Sequence, residues 1–222
     1  MPSAPDLKPV LTFLSGIKAH NDKAWFEAHR PAYEKARAEF EDLVDQLIQG
    51  LRRFDDMGTL TAKDCVMRIY RDIRFSPNKS PYKFSMSADI KPGGRHSPRL
   101  GYYIHIEPHD ASLLASGLYM PPSPQLNRFR TAIARHPREF KLIINEPEFK
   151  RYFGALEGGK LKTAPQGYDR SHPEIELLRL KDVTAAHHLT DAKVLARGFP
   201  RHALQTFEAL KPFLDYLNSV VF

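Results

Sequence analysis

The spacing of apolar residues changes twice along this chain, and those two changes limit its fold more than any other feature. Up to about residue 53 the period is three to four. Leu7, Val10, Leu11, Leu14 and Ile17 mark a helix over 7–19. Tyr33, Phe40, Leu43, Val44, Leu47, Ile48 and Leu51 mark another over about 31–53. Between them His20-Asn21-Asp22 breaks the pattern. Asn21 or Asp22 suits the N-cap of a short helix carrying Trp25 and Phe26, and Pro31 suits the first turn of the next. From 64 to 119 the period falls to two, in runs over 64–75, 84–91, 101–107 and 112–119. The connections between these runs are short, which favours antiparallel pairing. After Pro121-Pro122-Ser123-Pro124 the helical period returns, with helices opening at Ser123, Pro137 and Pro147. A short helix from His172 to Leu178, a strand over 182–189 and a closing helix over 200–217 complete the chain.

The expected architecture is a single α+β domain over 1–222. N-terminal helices (about 7–53) and a mostly helical C-terminal part (about 123–222) pack with a mostly antiparallel sheet of four to five strands, centred on about 64–119. A chain of 222 residues has length enough for a real core. No apolar run approaches the roughly 20 residues that span a bilayer, so no membrane partner is expected. The start Met1-Pro2-Ser3-Ala4-Pro5-Asp6 lacks the basic opening and apolar centre of a secretory leader. A single cysteine, Cys65, excludes an internal disulfide and fits a reducing cytoplasm.

Charge is distributed unevenly. Residues 61–100 carry 9 Lys/Arg against 3 Asp/Glu, whereas residues 1–60 carry 8 against 10. The excess centres on the stretch from Arg68 to Lys83, which holds Arg68, Arg71, Arg74, Lys79, Lys83 and one carboxylate, Asp72. A local positive field of this kind suits phosphate, carboxylate or nucleic-acid partners. Alternation places Cys65, Met67, Ile69, Ile73 and Phe75 on one face of a strand and Arg68, Tyr70, Asp72 and Arg74 on the other. Arg71 breaks the rule by falling among the apolar residues. A buried guanidinium needs a carboxylate partner, or a β-bulge must turn it outward.

The turn Ser76-Pro77-Asn78-Lys79-Ser80-Pro81 is stiffened by two prolines. Arg74, Lys79 and Lys83, with the Ser76 and Ser80 hydroxyls, suit convergence on one anion, because arginine supplies a planar fork and lysine a mobile point charge. Asp72 is placed to orient an arginine or act as a base. His105 and Glu107 share a strand face, and His105 is the second candidate base. The ten histidines contain no metal-ligating spacing, and neither a phosphate-binding glycine loop nor a dinucleotide fingerprint occurs. Neither a metal nor a cofactor is therefore expected. Cys65 falls on an apolar face, which argues against a catalytic thiol.

Four segments together resemble the uncharacterised bacterial and fungal family named domain of unknown function 2461. They are Asn21-Asp22-Lys23-Ala24-Trp25-Phe26 with Arg30 and Tyr33; Arg68 to Lys83; Gly117-Leu118-Tyr119-Met120-Pro121 with Arg130 in the following helix; and Lys162 to Tyr168 with His172-Pro173 and Leu178-Arg179-Leu180-Lys181. Asn78 stands where the family pattern leads one to expect an aspartate. The resemblance implies a compact α+β domain with no established activity. It also implies that these segments meet, so that Trp25, Arg30, Arg71, Arg74, Lys79, Lys83, Arg130, Lys162 and Tyr168 line a cationic, aromatic-edged cleft.

The leading expectation is a cytoplasmic protein that binds a phosphate- or carboxylate-bearing small molecule, with catalysis left open. A second reading is a nucleic-acid module using the basic loop from Lys91 to Arg99, with Tyr82, Tyr102 and Tyr103 as stacking groups. A third is a structural or partner-binding domain in which the Arg–Asp cluster serves the fold. Oligomeric state leaves no trace in the sequence.

Overall fold

A computed structural model describes residues 5–222; Met1 to Ala4, part of the polar start read above, lie outside the described residues. The fold is α+β, with a four-stranded antiparallel sheet in the order β1-β2-β3-β4. The strands are β1 (Met86–Ile90), β2 (Tyr102–Ile106), β3 (Ser112–Leu118) and β4 (Val183–Leu189). By compactness the chain divides into two units. Unit 1 comprises residues up to Ser97, Tyr102–Leu114 and His188–Gln205; unit 2 comprises Pro98–Gly101, Ala115–His187 and Thr206–Phe222.

Unit 1 is built on α1 (Lys8–Ala19), α2 (Lys23–Ala28) and α3 (Arg30–Leu51). The stripe that the sequence marks is the buried one: Val10, Leu11, Leu14 and Ile17 on α1, and Phe40, Leu43, Val44, Leu47, Ile48 and Leu51 on α3. Asp22, not Asn21, caps α2, accepting from the Trp25 N–H at 2.9 Å. β1 and β2 pair with Met86 opposite Ile106, Ala88 opposite Ile104 and Ile90 opposite Tyr102, all buried. The opposite face of the same pair therefore carries Ser87, Asp89, Tyr103 and His105.

The strand expected over 64–75 is not formed. Its first residues belong to a short helix, α4 (Ala62–Cys65), whose Thr61 and Asp64 make a capping box. The remainder is extended and pairs with residues 81–88 only through isolated bridges, Val66 with Ala88 and Tyr70 with Tyr82. Two physical causes interrupt the ladder. Between those bridges one chain advances four residues and the other six, so two extra residues bulge out of the second run. Pro81 also has no N–H to give: the Arg71 N–H donates to the Pro81 carbonyl at 2.9 Å, and the return bond is missing. Phe75, expected on the apolar face, lies beyond the paired region and is 93% exposed.

Unit 2 contains α5 (Ser123–Arg135), α6 (Pro137–Asn145), α7 (Pro147–Phe153) and α8 (Ile175–Leu178). Each of α5, α6 and α7 carries proline in its first turn, as the sequence predicts. Their core is aromatic: Phe140 packs on Phe129, Phe213 and Tyr216, and Phe149 on Phe153 and Phe213. Phe213 and Tyr216 come from the last helix, Phe199–Val221. The expected strand over 182–189 is present as β4.

Candidate functional site

The site in unit 1 starts from an aromatic cluster. Phe26 is fully buried; its ring stacks on Tyr82 at 4.2 Å between centroids and touches Phe13, Tyr33 and Tyr70. Trp25 is half-buried, packed on Phe13 and stacked with His29 and, at a longer distance, with His20. Asn21 joins this cluster to the basic stretch. Its side-chain amide donates to the Tyr82 carbonyl at 2.9 Å and accepts from the Tyr82 N–H at 3.0 Å. A side chain thus stands in for a missing strand at the edge of the hairpin, a role its sequence position does not announce. Arg30 lies over the Phe26 ring and is held by both carboxylate oxygens of Glu27. That contact raises its pKa further above its ordinary value.

The basic stretch is laced to itself. The Arg71 guanidinium stays on the inward side, half-buried, and donates to the Ser80 carbonyl at 3.0 Å and to Ser76 Oγ at 3.3 Å. Neither of the expected solutions applies: no carboxylate faces Arg71 among the described residues, and the bulge lies in the other run. Two of the Arg71 N–H groups are taken up by the turn that it closes. Asn78 Oδ1 accepts from the Ser80 N–H at 2.9 Å. An amide oxygen does this as well as a carboxylate does, so asparagine serves the turn. Lys79, exposed, donates to the Ile73 carbonyl at 3.0 Å.

Arg74 and Asp72 form a bidentate pair, at 3.0 and 2.7 Å. The Arg74 contact holds the Asp72 carboxyl below the usual carboxylate range, which makes Asp72 an orienting group and a poor base at neutral pH. Lys83 differs from the other cations. The Lys83 N–H donates to the Ile69 carbonyl at 2.8 Å, so Ile69 and Lys83 are opposite residues and Arg71 lies on the same face, one diagonal step away. The Lys83 ammonium is half-buried and has no hydrogen-bond or ion-pair partner among the described residues. Burial, with Arg68 nearby, pushes its pKa below the ordinary lysine value.

His105 sits on β2 with its ring between Tyr103 and Glu107, at 3.2 and 3.1 Å. Cys65 is wholly buried, and burial pushes its thiol up to about 12. The native protein should therefore be inert to a disulfide thiol reagent near pH 8, and should react fully once unfolded in guanidinium. Rapid reaction of native protein would show that the pocket around Cys65 opens.

In unit 2, Arg130 is buried and donates to the Leu178 carbonyl at 2.9 Å and the Leu180 carbonyl at 3.0 Å. It closes the C-terminal end of α8, where carbonyl groups lack helical partners. Burial pushes its pKa below the ordinary arginine value, and Tyr168 opposes that shift electrostatically. Tyr168 is half-buried, edge-on to His172, and Lys162 is exposed.

A family model described as "Conserved hypothetical protein (DUF2461)" matches residues 9–216. The chain belongs to that family. No curated protein and no solved structure matches it. Two of the segments that carry the resemblance to DUF2461 have a defined structural role in this chain. The Asn21 to Phe26 segment clamps and packs on the Tyr82 hairpin. In the Gly117 to Pro121 segment, the Met120 N–H is held by Asp182 Oδ1 at 2.8 Å. Among the described residues no group of three His, Cys, Asp or Glu is placed to hold a metal, and no helix is long and apolar enough to cross a membrane.

Proposed function

We propose that unit 1 binds a phosphate- or carboxylate-bearing small molecule on the hairpin face that carries Arg71 and Lys83. The observation that carries this reading is Lys83, a half-buried ammonium whose pKa is held down by burial and, to a lesser extent, by Arg68. An anion placed on that face removes the penalty on Lys83. It also takes up the Arg71 donors that neutral acceptors leave over, since a guanidinium has five N–H groups. Ser76, Ser80 and Lys79 shape the turn that presents the two cations. Arg74 and Arg30 contribute less, because each is already neutralised by a carboxylate. Arg130, Lys162 and Tyr168 belong to unit 2 and are not needed for this reading. A cytoplasmic setting belongs to it, supported by the lone buried thiol.

A nucleic-acid module on the Lys91 to Arg99 loop has less behind it. Lys91 is buried against Asp89 at 2.7 Å, and Arg95 donates to the Lys63 carbonyl. The Tyr82 and Tyr102 rings, needed for stacking, are 3% and 0% exposed.

The test is thermal unfolding with inorganic phosphate and, separately, citrate. A ligand at a hundred times its Kd stabilises by about 2.7 kcal/mol, a readable rise in Tm. Lys83→Met and Arg71→Gln should each remove most of that rise. The pH dependence has a defined sign. The folded-state pKa of Lys83 lies below its unfolded value, so its charge costs stability at low pH. The cost fades as pH rises through the interval between the two values. Bound phosphate reverses this, and its effect should weaken across the same interval. Equal rises in wild type and both variants, or none with either anion, would refute the reading.

A further inference from the structure

A second constellation lies outside the basic stretch, on the polar face of β2. Tyr103, His105 and Glu107 follow one another at every second position, so the pleat aligns them on one face. Tyr103 Oη lies 3.2 Å from His105 Nδ1, and His105 Nε2 lies 3.1 Å from Glu107 Oε2. Glu107 is fixed from several directions. Its other carboxylate oxygen accepts from Lys18 Nζ at 3.1 Å, and Lys18 in turn lies over the Phe84 ring. The Glu107 backbone N–H donates to Ser112 Oγ at 3.0 Å, and that hydroxyl donates to the Glu107 carbonyl at 2.9 Å. The His105 and Glu107 side chains remain 21% and 16% exposed.

The protons in this row have only one arrangement when the imidazole is neutral. A carboxylate only accepts, so Nε2 carries the hydrogen and Nδ1 keeps the lone pair. The Tyr103 hydroxyl therefore donates to Nδ1. This is the order of a nucleophile, a base and a group that orients the base and offsets its charge once protonated. We propose that Tyr103, His105 and Glu107 form an acyl-transfer triad acting on a carboxylic ester, with Tyr103 as nucleophile. The proposal is independent of the anion site on Arg71 and Lys83.

The step balances with water as co-reactant. Tyr103 Oη attacks the acyl carbon while its proton passes to His105 Nδ1. The tetrahedral adduct collapses and expels the alcohol, which takes that proton. Water, deprotonated by His105, then attacks the tyrosyl ester; the acid is released, and the departing Tyr103 oxygen takes the proton back from His105, which restores both groups. Glu107 stabilises the imidazolium at both stages and keeps the productive tautomer, and Lys18 positions Glu107. Glu107→Gln is informative because its amide can donate to Nε2. The ring proton then moves to Nδ1, which can no longer accept from Tyr103.

The probe is p-nitrophenyl acetate with the intact chain near neutral pH, acetylated tyrosines being located by peptide mass spectrometry. Tyr119, 77% exposed, is the comparator within the same molecule. Tyr103 should acetylate faster than Tyr119 by at least about tenfold, a modest fraction of what a positioned base supplies. His105→Gln and Glu107→Gln should each abolish that advantage. Tyr103→Phe should lose p-nitrophenol release by a similar factor. A row serving only the fold would lower the Tm of these variants while leaving wild-type Tyr103 no more reactive than Tyr119. That wild-type result overturns the proposal without any variant having to fold, as does a Tyr103→Phe protein that hydrolyses the ester at the wild-type rate.

Discussion

Gly117→Ala should be among the most damaging single substitutions in this protein, costing roughly 4 kcal/mol through two named mechanisms, strain at a special backbone conformation and overpacking. Gly117 lies in β3 with φ +126°, a conformation L residues rarely adopt. A Cβ there would stand 2.1 Å from the Val183 carbonyl oxygen and 2.8 Å from the Thr184 Cα. Both obstacles are backbone of β4, which cannot swing aside as a flexible side chain does. Relief requires β3 and β4 to separate locally, and the register of the neighbouring Met120–Asp182 contact goes with it. The check is the urea midpoint of the variant against wild type. A loss below about 1 kcal/mol would mean that the strands part easily, contrary to the close approach.

Phe26→Ala should cost about 3–5 kcal/mol, the usual range for deleting a buried aromatic ring. The ring is fully enclosed and contacts Phe13, Tyr33, Tyr70 and Tyr82, so no single neighbour can fill the space. The functional consequence is separable from the stability loss. Tyr82 stacks on Phe26 and is clamped by Asn21, and Tyr82 precedes Lys83. Loosening Tyr82 should therefore weaken the phosphate-induced rise in Tm beyond what the lower starting Tm explains. Phe26→Leu, which keeps more volume, should recover part of both effects. A Phe26→Ala protein with an unchanged urea midpoint would show that the cluster does not brace the hairpin.

The two long N-terminal helices were legible because their signals are local: apolar residues at three- and four-residue steps, and prolines placed in first turns. β1 to β3 were legible from alternation for the same reason. The run from Asp64 to Phe75 also alternates, save at Arg71, and is not a strand. Whether it extends into a ladder depends on its partner, and the partner carries Pro81 and a two-residue bulge. Alternation records which way side chains point and contains nothing about donors missing on the opposite chain.

The candidate site divides in the same way. Composition and spacing located the excess of positive charge, the stiff turn and the anomaly at Arg71. They did not show that Arg71 is held by a carbonyl and a hydroxyl of its own turn, or that Arg74 is tied to Asp72. They also left Lys83 indistinguishable from the other lysines, because desolvation is a property of the packed surroundings. Tyr103 and Lys18 lie 85 residues apart and enter one row only because the fold brings the end of α1 to Glu107, where Lys18 donates to its carboxylate. Helix period, strand alternation and local charge are carried by neighbours in sequence. Partner choice, burial and the direction of a hydrogen bond are carried by neighbours in space, and these single out Lys83 and the Tyr103–His105–Glu107 row.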